Sequence, residues 1–597
     1  MIRLKTFFLS IYNRFVNDIA LISFVILIQS VAAAIWPESG IAFDFAEMFF
    51  TVALVKSFSL GILSSLLSFN KAWIKWLFVM INIFIFLFYS YLALQFDVRF
   101  SSNVFALILQ TNTTEASEFF QSYFPISTIL ILVAIFIITT VLYVILLLAS
   151  NCIKNKLIGV STTTKFLSAA IIIILTLISL FLNIQTTDKL KIYNLRVPIH
   201  RVFYESTLPY QDLITNYNAV KGNEQKIIKI KHANDIIHLD TCLFSCKNVV
   251  FVIGESYNKS HAGIYGYKHS TTPFMEREKQ KGNLFAFSDV VSHSAGTYHC
   301  MQYFYSTKSL NDDKIWEDSP LLPAIFKKAG YNVTLLDNQN TRSSGNYTFA
   351  YTASFFINNK DIHEQCFNYR NGRVYRYDLD MIEAEKNVIF KNKYNCTFTI
   401  IHLNGQHIGA SNRYPNISKY NYFTDDSIHR KDIKNHAMLW QIAYYDNATR
   451  YNDNVLNEIF SLYKDKEAVV LYVADHGDNM FDDSTLSFGR AIGSNKTLDI
   501  IKIFYEIPMI IWCSDEYISK HPDVMERIKS SVDSPFMHDD VCHILFDVAG
   551  IYGSFYDSSR SVINNDYICR KRIINGTFDY DANKKAIQNI VLRTKDN

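Results

Sequence analysis

A chain of 597 residues is too long for one ordinary domain. Hydrophobic residues make up 49% and charged residues 19%, and the apolar excess falls before about residue 185. A formal net charge of +3, without any basic run, makes no case for a nucleic-acid partner.

Five early segments are long and apolar enough to cross a bilayer, which takes roughly 20 residues. They lie near Ile19–Trp36, Phe45–Phe69, Trp73–Phe96, Ile126–Ala149 and Phe166–Ile184. The first is followed by further spans, so it is read as a span and not as a cleaved signal peptide. Arg3, Lys5 and Arg14 precede it. Lys71 lies between the second and third spans, with Lys75 at the start of the third, and Lys154, Lys156 and Lys165 lie between the fourth and fifth. Basic loops mark the cytoplasmic side, so five crossings place the C-terminal part outside. Glu47 and Lys56 fall within the second span, where an ionisable group is either functional or snorkels to an interface.

The loop 97–124 carries Phe119-Phe120 and Tyr123-Phe124 and reads as an interfacial helix or a packed loop. Residues 185–246, with Pro198 and Pro209, read as a connector with one or two short helices. No internal repeat is visible. The expected organisation is a transmembrane domain over 1–184, this linker over 185–246 and a catalytic domain over 247–597.

From residue 247 onward, apolar runs alternate with helical stretches. Val249–Ile253, Asn332–Leu336, Thr397–Leu403, Ala468–Ala474 and Ile507–Trp512 read as buried strands. Tyr298–Thr307, Leu321–Ala329, His436–Tyr463 and Asp539–Ala549 read as helices. Such alternation predicts an α/β fold with a mixed, mostly parallel sheet and helices on both faces.

Nine cysteines are present. Cys152 lies in a cytoplasmic loop. The other eight, Cys242, Cys246, Cys300, Cys366, Cys396, Cys513, Cys542 and Cys569, fall in the exported part. An even number in an oxidising compartment predicts at least two disulfides, with Cys242–Cys246 close enough for a local bridge. Cys396 and Cys513, each at an apolar strand, read alternatively as buried thiols. No paired CxxC spacing points to a zinc–cysteine site.

Chemistry concentrates at the ends of the runs. Glu255 directly follows the first strand, and Asp475-His476 follow Ala474. Open α/β sheets place their ligands at such edges. Carboxylates and imidazole are donors that zinc accepts, although a lone strand-terminal acid is also a common helix cap. Thr297 precedes a helical stretch, where free N–H groups favour an anion such as phosphate. Gly296 before it is expected to free the backbone for a tight entry. A metal beside Thr297 would make its hydroxyl a nucleophile at neutral pH. His402 and His407 follow another strand. Either could act on a leaving oxygen or bind metal, and a structural role fits His402 better than His407. His293 and His299 flank Thr297, and Ser292 and Ser294 are the other hydroxyls just before that helix.

The segment Glu255-Ser256-Tyr257-Asn258, followed by Ile264-Tyr265-Gly266-Tyr267 and Thr271-Thr272-Pro273, resembles the signature of the membrane-bound phosphoethanolamine transferases of the lipid A and lipopolysaccharide type. These belong to the sulfatase and alkaline phosphatase superfamily. Gly296-Thr297, Leu336-Asp337-Asn338, His402–His407 and Val473–Gly477 resemble that family's other segments in order, and five N-terminal spans before an exported catalytic domain match it too. The resemblance implies a sulfatase-like domain with Thr297 as nucleophile, His407 as active-site histidine, and Glu255, Thr297, Asp475 and His476 as ligands of one Zn2+. It implies an inner-membrane enzyme with a periplasmic catalytic domain. Such an enzyme moves phosphoethanolamine from phosphatidylethanolamine through a phosphoethanolamine-threonine to lipid A or another envelope glycan.

Three departures stand out. Asn258 occupies the signature's Arg position. Ala295 stands where several members have Cys. Leu486–Arg490 lacks the His that many members carry past Asp475-His476-Gly477, which puts a second zinc in question. The competing readings are a glycerophosphate transferase of the lipoteichoic-acid synthase type, whose members share the spans, the threonine and the ligands, and an inactive membrane scaffold.

Overall fold

The computed structural model describes residues 2–35, 54–96, 124, 126–184, 218–339, 357, 359–390, 395–407, 409–490, 497–590 and 592. The chain divides into two compact units, one within residues 1–216 and one built from 217–490 and 496–597.

The first unit is helical: α1 (Ile2–Ile35), α2 (Leu54–Leu67), α3 (Ala72–Phe96), α4 (Ile126–Ile158) and α5 (Thr162–Ile184). Four of these contain segments long and apolar enough to cross a membrane, Lys5–Ala32, Ala72–Leu92, Ile126–Ile158 and Thr162–Leu180. The second is shorter over its described part, Ser57–Leu67. Helix α1 packs against the other four. It begins well before the expected start at Ile19, which brings Asp18 into the helix. Buried Asp18 pairs with Lys75, lies 3.4 Å from Arg14 and accepts from Ser65 Oγ at 2.7 Å. These partners neutralise a carboxylate that would otherwise be costly there. Gln29 Nε2 donates to Asn82 Oδ1 at 2.9 Å, tying α1 to α3. Glu47, the side chain of Lys56, and nearly all of the 97–124 loop lie outside the described residues.

The second unit is built on a seven-stranded sheet. Its strands in chain order are β1 (Asn248–Gly254), β2 (Leu284–Phe287), β3 (Asn332–Asp337), β4 (Tyr369–Arg370), β5 (Thr397–His402), β6 (Ala468–Ala474) and β7 (Met509–Cys513). The spatial order is β2-β7-β6-β1-β5-β3-β4. The pairs β6–β1, β1–β5, β5–β3 and β3–β4 are parallel, while β2–β7 and β7–β6 are antiparallel. This is the mixed, mostly parallel sheet expected. Val249 to Ile253 are 0% exposed because both faces are covered. Each such side chain contributes roughly 1.5–3 kcal/mol on burial.

Helix α6 (Asn218–Asp235) and the strand Leu239–Cys242 correct the connector reading. Ile230 and Ile237 enter the main core, and Leu239–Cys242 pairs antiparallel with Ile551–Gly553. The stretch from 218 to 246 is therefore part of the second unit; Pro198 and Pro209 lie outside the described residues.

The disulfide expectation is also corrected: all nine cysteines are free. Cys242 sits in the ladder opposite Ile551, and the chain beyond it continues along Gly550 and Ala549 through Leu243 N and Ser245 N. Phe244, between the two cysteines, bends the chain with φ 50°. Cys246 instead turns into the core, with Sγ 3.3 Å from Asn248 O.

Candidate active site

Gly254 pairs in register with Ala474, so β1 and β6 end side by side. The next residues, Glu255 and Asp475, are thereby adjacent and fully buried. A Cβ at Gly254 would run into the Tyr472 ring, which explains a glycine at this strand end. Ser256 then turns the chain with φ 55°, a left-handed conformation costly for a residue with a Cβ. Three contacts hold it there. Its N–H donates to Asp475 Oδ1 at 3.0 Å, its Oγ donates to Glu255 Oε1 at 2.6 Å, and its carbonyl accepts from Tyr445 Oη at 2.6 Å. Tyr445 comes from α8 (His436–Tyr463), whose N-terminus is capped by the Asn435 side chain.

Thr297 opens helix α7 (Thr297–Phe304), with Gly296 as its N-cap. Gly296 has φ −122° and ψ 123°, ordinary extended values, so the conformational freedom expected of it is not used. Thr297 Oγ1 donates to Glu255 Oε2 at 3.1 Å and lies 3.2 Å from His476 Nε2. His476 Nδ1–H donates to Gly477 O at 3.0 Å, which leaves the Nε2 lone pair facing the site. That Nε2 is 3.2 Å from Asp475 Oδ2 and 3.6 Å from Glu255 Oε1.

These separations fit a zinc ion. Four donors roughly 2.0–2.1 Å from a tetrahedral centre would lie about 3.3 Å apart. Asp475 Oδ2 is buried without a hydrogen-bond partner, a costly state that a cation relieves. Glu255, Asp475 and His476 thus form a buried group able to hold a metal, and the Thr297 hydroxyl completes it.

The electrostatics separate the two carboxyls. Burial alone would raise Glu255, but His476, His407 and Arg490 nearby and the Ser256 hydroxyl bring it below the usual carboxylate range. Burial and the Glu255 charge push Asp475 well above that range. Burial, reinforced by Arg490, lowers His476 to about 3, so the imidazole is neutral at pH 7. His407 is also lowered by burial, to about 4.

His402 ends β5 and its Nδ1 is 3.2 Å from Asp337 Oδ1 at the end of β3. His407 lies further along the same loop, near enough to Glu255 for each to influence the other. Asn258, at the signature's Arg position, donates to Asp478 O at 2.9 Å and to Asp482 Oδ2 at 3.1 Å. Ser292 Oγ donates to Ser294 O at 2.6 Å, and Ser294 Oγ accepts from Gly296 N at 3.2 Å, so both serines brace the loop before Thr297. His293 lies against His538, their Nδ1 atoms 3.4 Å apart.

The sequence reading missed several contributors. Gln339 Nε2 donates to Glu255 Oε2 at 3.1 Å and to Leu403 O at 2.9 Å. His538 Nε2 donates to Asp475 O at 3.0 Å, and the Cys300 thiol donates to the same oxygen at 3.3 Å. His293, Cys300 and His538 form a second compact donor group behind Asp475. Arg490 Nη1 donates to Ala295 O at 2.5 Å and to His476 Nε2 at 2.5 Å. A basic residue a dozen positions past Gly477 was the only sequence signal for it.

The α/β fold that carries this site is that of the alkaline phosphatase and sulfatase superfamily. The chain belongs to the sulfatase family, whose family model matches residues 247–551. It is 26% identical over 503 residues to phosphoethanolamine transferase EptC of Escherichia coli strain K12, covering 81% of this chain and 82% of that protein. It is 27% identical over 290 residues to Kdo(2)-lipid A phosphoethanolamine 7''-transferase of Salmonella typhimurium, 48% of each chain. Among solved structures, the integral membrane protein lipooligosaccharide phosphoethanolamine transferase A of Neisseria meningitidis shares the fold. The TM-score is 0.58 at 18% identity, over 91% of this chain and 98% of that one. The motif resemblance and the expected architecture, apolar helices followed by a sulfatase-like α/β domain, are thus borne out.

Proposed function

We propose that the protein transfers phosphoethanolamine from phosphatidylethanolamine to lipid A or another lipopolysaccharide acceptor, with Thr297 as nucleophile. The observation that carries this reading is the hydrogen-bonded Thr297 hydroxyl among the side chains of Glu255, Asp475 and His476. Relatives across most of the chain are named phosphoethanolamine transferases, which supports the substrate class.

Glu255, Asp475, His476 and Thr297 would hold one Zn2+. When bound, that ion supplies positive charge that lowers the pKa of the Thr297 hydroxyl and offsets charge on phosphoryl oxygens. Thr297 Oγ1 loses its proton and attacks phosphorus. The bond from phosphorus to the diacylglycerol oxygen breaks, and that oxygen takes up a proton as diacylglycerol leaves. The α7 N-terminus directs free N–H groups toward the phosphoryl oxygens. In the second half an acceptor oxygen attacks phosphorus, and the Thr297 oxygen leaves and regains its proton. His407, neutral at pH 7, contacts the phosphate and is placed to receive the acceptor's proton. The basic-loop asymmetry supports a periplasmic location for this unit, on the side from which the headgroup of an inner-membrane donor is reached.

Incubation of the full chain with phosphatidylethanolamine vesicles tests the reading. The peptide containing Thr297 should gain one phosphoethanolamine mass. Thr297→Ala should abolish the adduct while zinc still binds, and Thr297→Ser should keep part of the activity. A glycerophosphate adduct would assign the protein to the polymerase reaction instead, and transfer by the Ala variant would remove Thr297 from the mechanism.

A further inference from the structure

Arg490 is half-buried, and its partners differ in kind from those of Arg430, Arg560 and Arg572 in the same unit. Arg430 pairs with Asp432 and Asp482, Arg560 with Asp540, and Arg572 with Asp289 and Asp581. The hydrogen bonds of Arg490 go to a carbonyl oxygen and a ring nitrogen, and no carboxylate among the described residues lies within ion-pair distance. Only Nη1 of its five-donor guanidinium is engaged in these bonds, so the rest of the fork is able to take an anion.

Its position indicates which anion. Ala295 O, which it binds, lies two residues before Thr297, and His476 Nε2, its other partner, is 3.2 Å from Thr297 Oγ1. The guanidinium therefore stands beside the nucleophile. A metal ion and the guanidinium compete for one lone pair on His476 Nε2. A metal ion held by His476 would take that lone pair and leave the guanidinium's planar fork of donors available beside Thr297. Such a fork matches two oxygens of a phosphate.

We propose that Arg490 is a catalytic residue that binds the non-bridging oxygens of the donor phosphodiester while Thr297 attacks. It serves as a second positive centre in a site that takes a single metal ion. This rests on the phosphoryl-transfer reading above, and the test separates the two.

The experiment uses the zinc-loaded full chain in detergent, with Arg490→Ala and Arg490→Lys variants. Zinc affinity, inorganic phosphate binding and the initial rate of Thr297 modification from phosphatidylethanolamine vesicles are measured. Zinc affinity should be unchanged or tighter in Arg490→Ala, because the competitor for His476 Nε2 is gone. Phosphate binding should weaken at least about tenfold, and the modification rate should fall about 10²–10³-fold, as for loss of one preorganised donor. Lys should recover part of both by charge alone, and added guanidinium ion should partly rescue the Ala variant. Wild-type phosphate binding and rate in the Ala variant would overturn the proposal. So would loss of zinc from that variant, since Arg490 would then be a prop for the metal ligands. If the wild-type chain leaves Thr297 unmodified yet phosphate binding still depends on Arg490, the reaction assigned above fails and the anion-binding role stands.

Discussion

Replacing Gly405 with Ala tests how the loop after β5 positions Glu255. Gly405 has φ 51°, and an added Cβ would lie 2.8 Å from Glu255 O, 3.0 Å from Glu255 N and 3.2 Å from Glu255 Cβ. The loop has no slack to give way. Gly405 N donates to Asp378 Oδ2 at 3.0 Å, Gln406 N donates to Glu255 O at 3.0 Å, and Leu403 N donates to Ile253 O at 3.0 Å. The left-handed backbone costs an alanine roughly 1–2 kcal/mol. Crowding a packed site adds about 1–3 kcal/mol. The sum, roughly 2–5 kcal/mol, is a large part of the ~5–15 kcal/mol that holds a domain together. Gly266→Ala is the control, because its φ is 93° but nothing lies within 4 Å of the added carbon. Thermal unfolding of the full chain should show Gly405→Ala less stable than Gly266→Ala by the crowding share alone. Zinc titration should show weakening of about 10–100-fold in Gly405→Ala only, as when a ligand loses its support. Equal melting and equal zinc affinity in the two variants would refute the claim that this loop positions Glu255.

Other outcomes follow from the same geometry. Ser256→Gly should be more stable than Ser256→Ala, inverting the usual order, because only glycine escapes the cost of φ 55° while both lose the bond to Glu255; denaturant titration ranks them, and an Ala variant at least as stable removes the strain. His261 is buried between Asp446 and Asp482, at 2.7 and 3.0 Å. Burial opposes its charge, but the two carboxylates outweigh that and raise it from 6.5 to about 10. The stability it contributes is complete below pH ~6.5 and is lost as pH rises through about 10, at most ~5 kcal/mol. His261→Gln should flatten that part of the melting-temperature profile, and an unaltered slope would place the dependence elsewhere. A reporter active only in the cytoplasm, fused after Thr241, should be silent; clear activity there would reverse the orientation.

The sheet was legible where β-branched runs are buried on both faces. The reading of Ala468–Ala474 and that of the helix His436–Tyr463 coincide with the observed bounds, and the other central strands shift by a residue or two at their ends. The edge strand Leu284–Phe287 left no such signal because four residues are too few to show a period. The sequence brought Glu255, Thr297, Asp475 and His476 under suspicion because they stand at run ends. It could not bring in Gln339, His538 or Cys300, whose roles depend on which strand ends and loops become neighbours in space. Ser256 was hidden for another reason: nothing in its local sequence requires a left-handed serine, and the conformation is imposed by Tyr445 and Asp475 from distant elements. The glycine before Thr297 misled in the opposite sense, since its backbone is one any residue adopts.

The central place of β1 in the sheet has a consequence for biosynthesis. It is the first of the seven strands to be made, yet both of its neighbours come much later. Asn248 meets Thr397 across 149 residues and Glu467 across 219. At synthesis rates of about 5–20 residues per second, an apolar strand with two bare edges persists for roughly 10–40 s before its second partner exists. Over that interval it is the segment most open to edge-to-edge association, and a holdase that recognises extended apolar chain would find it there. The His538 ring, which donates to Asp475 O, is made only after every strand of the sheet, so that support for the candidate site comes late in synthesis.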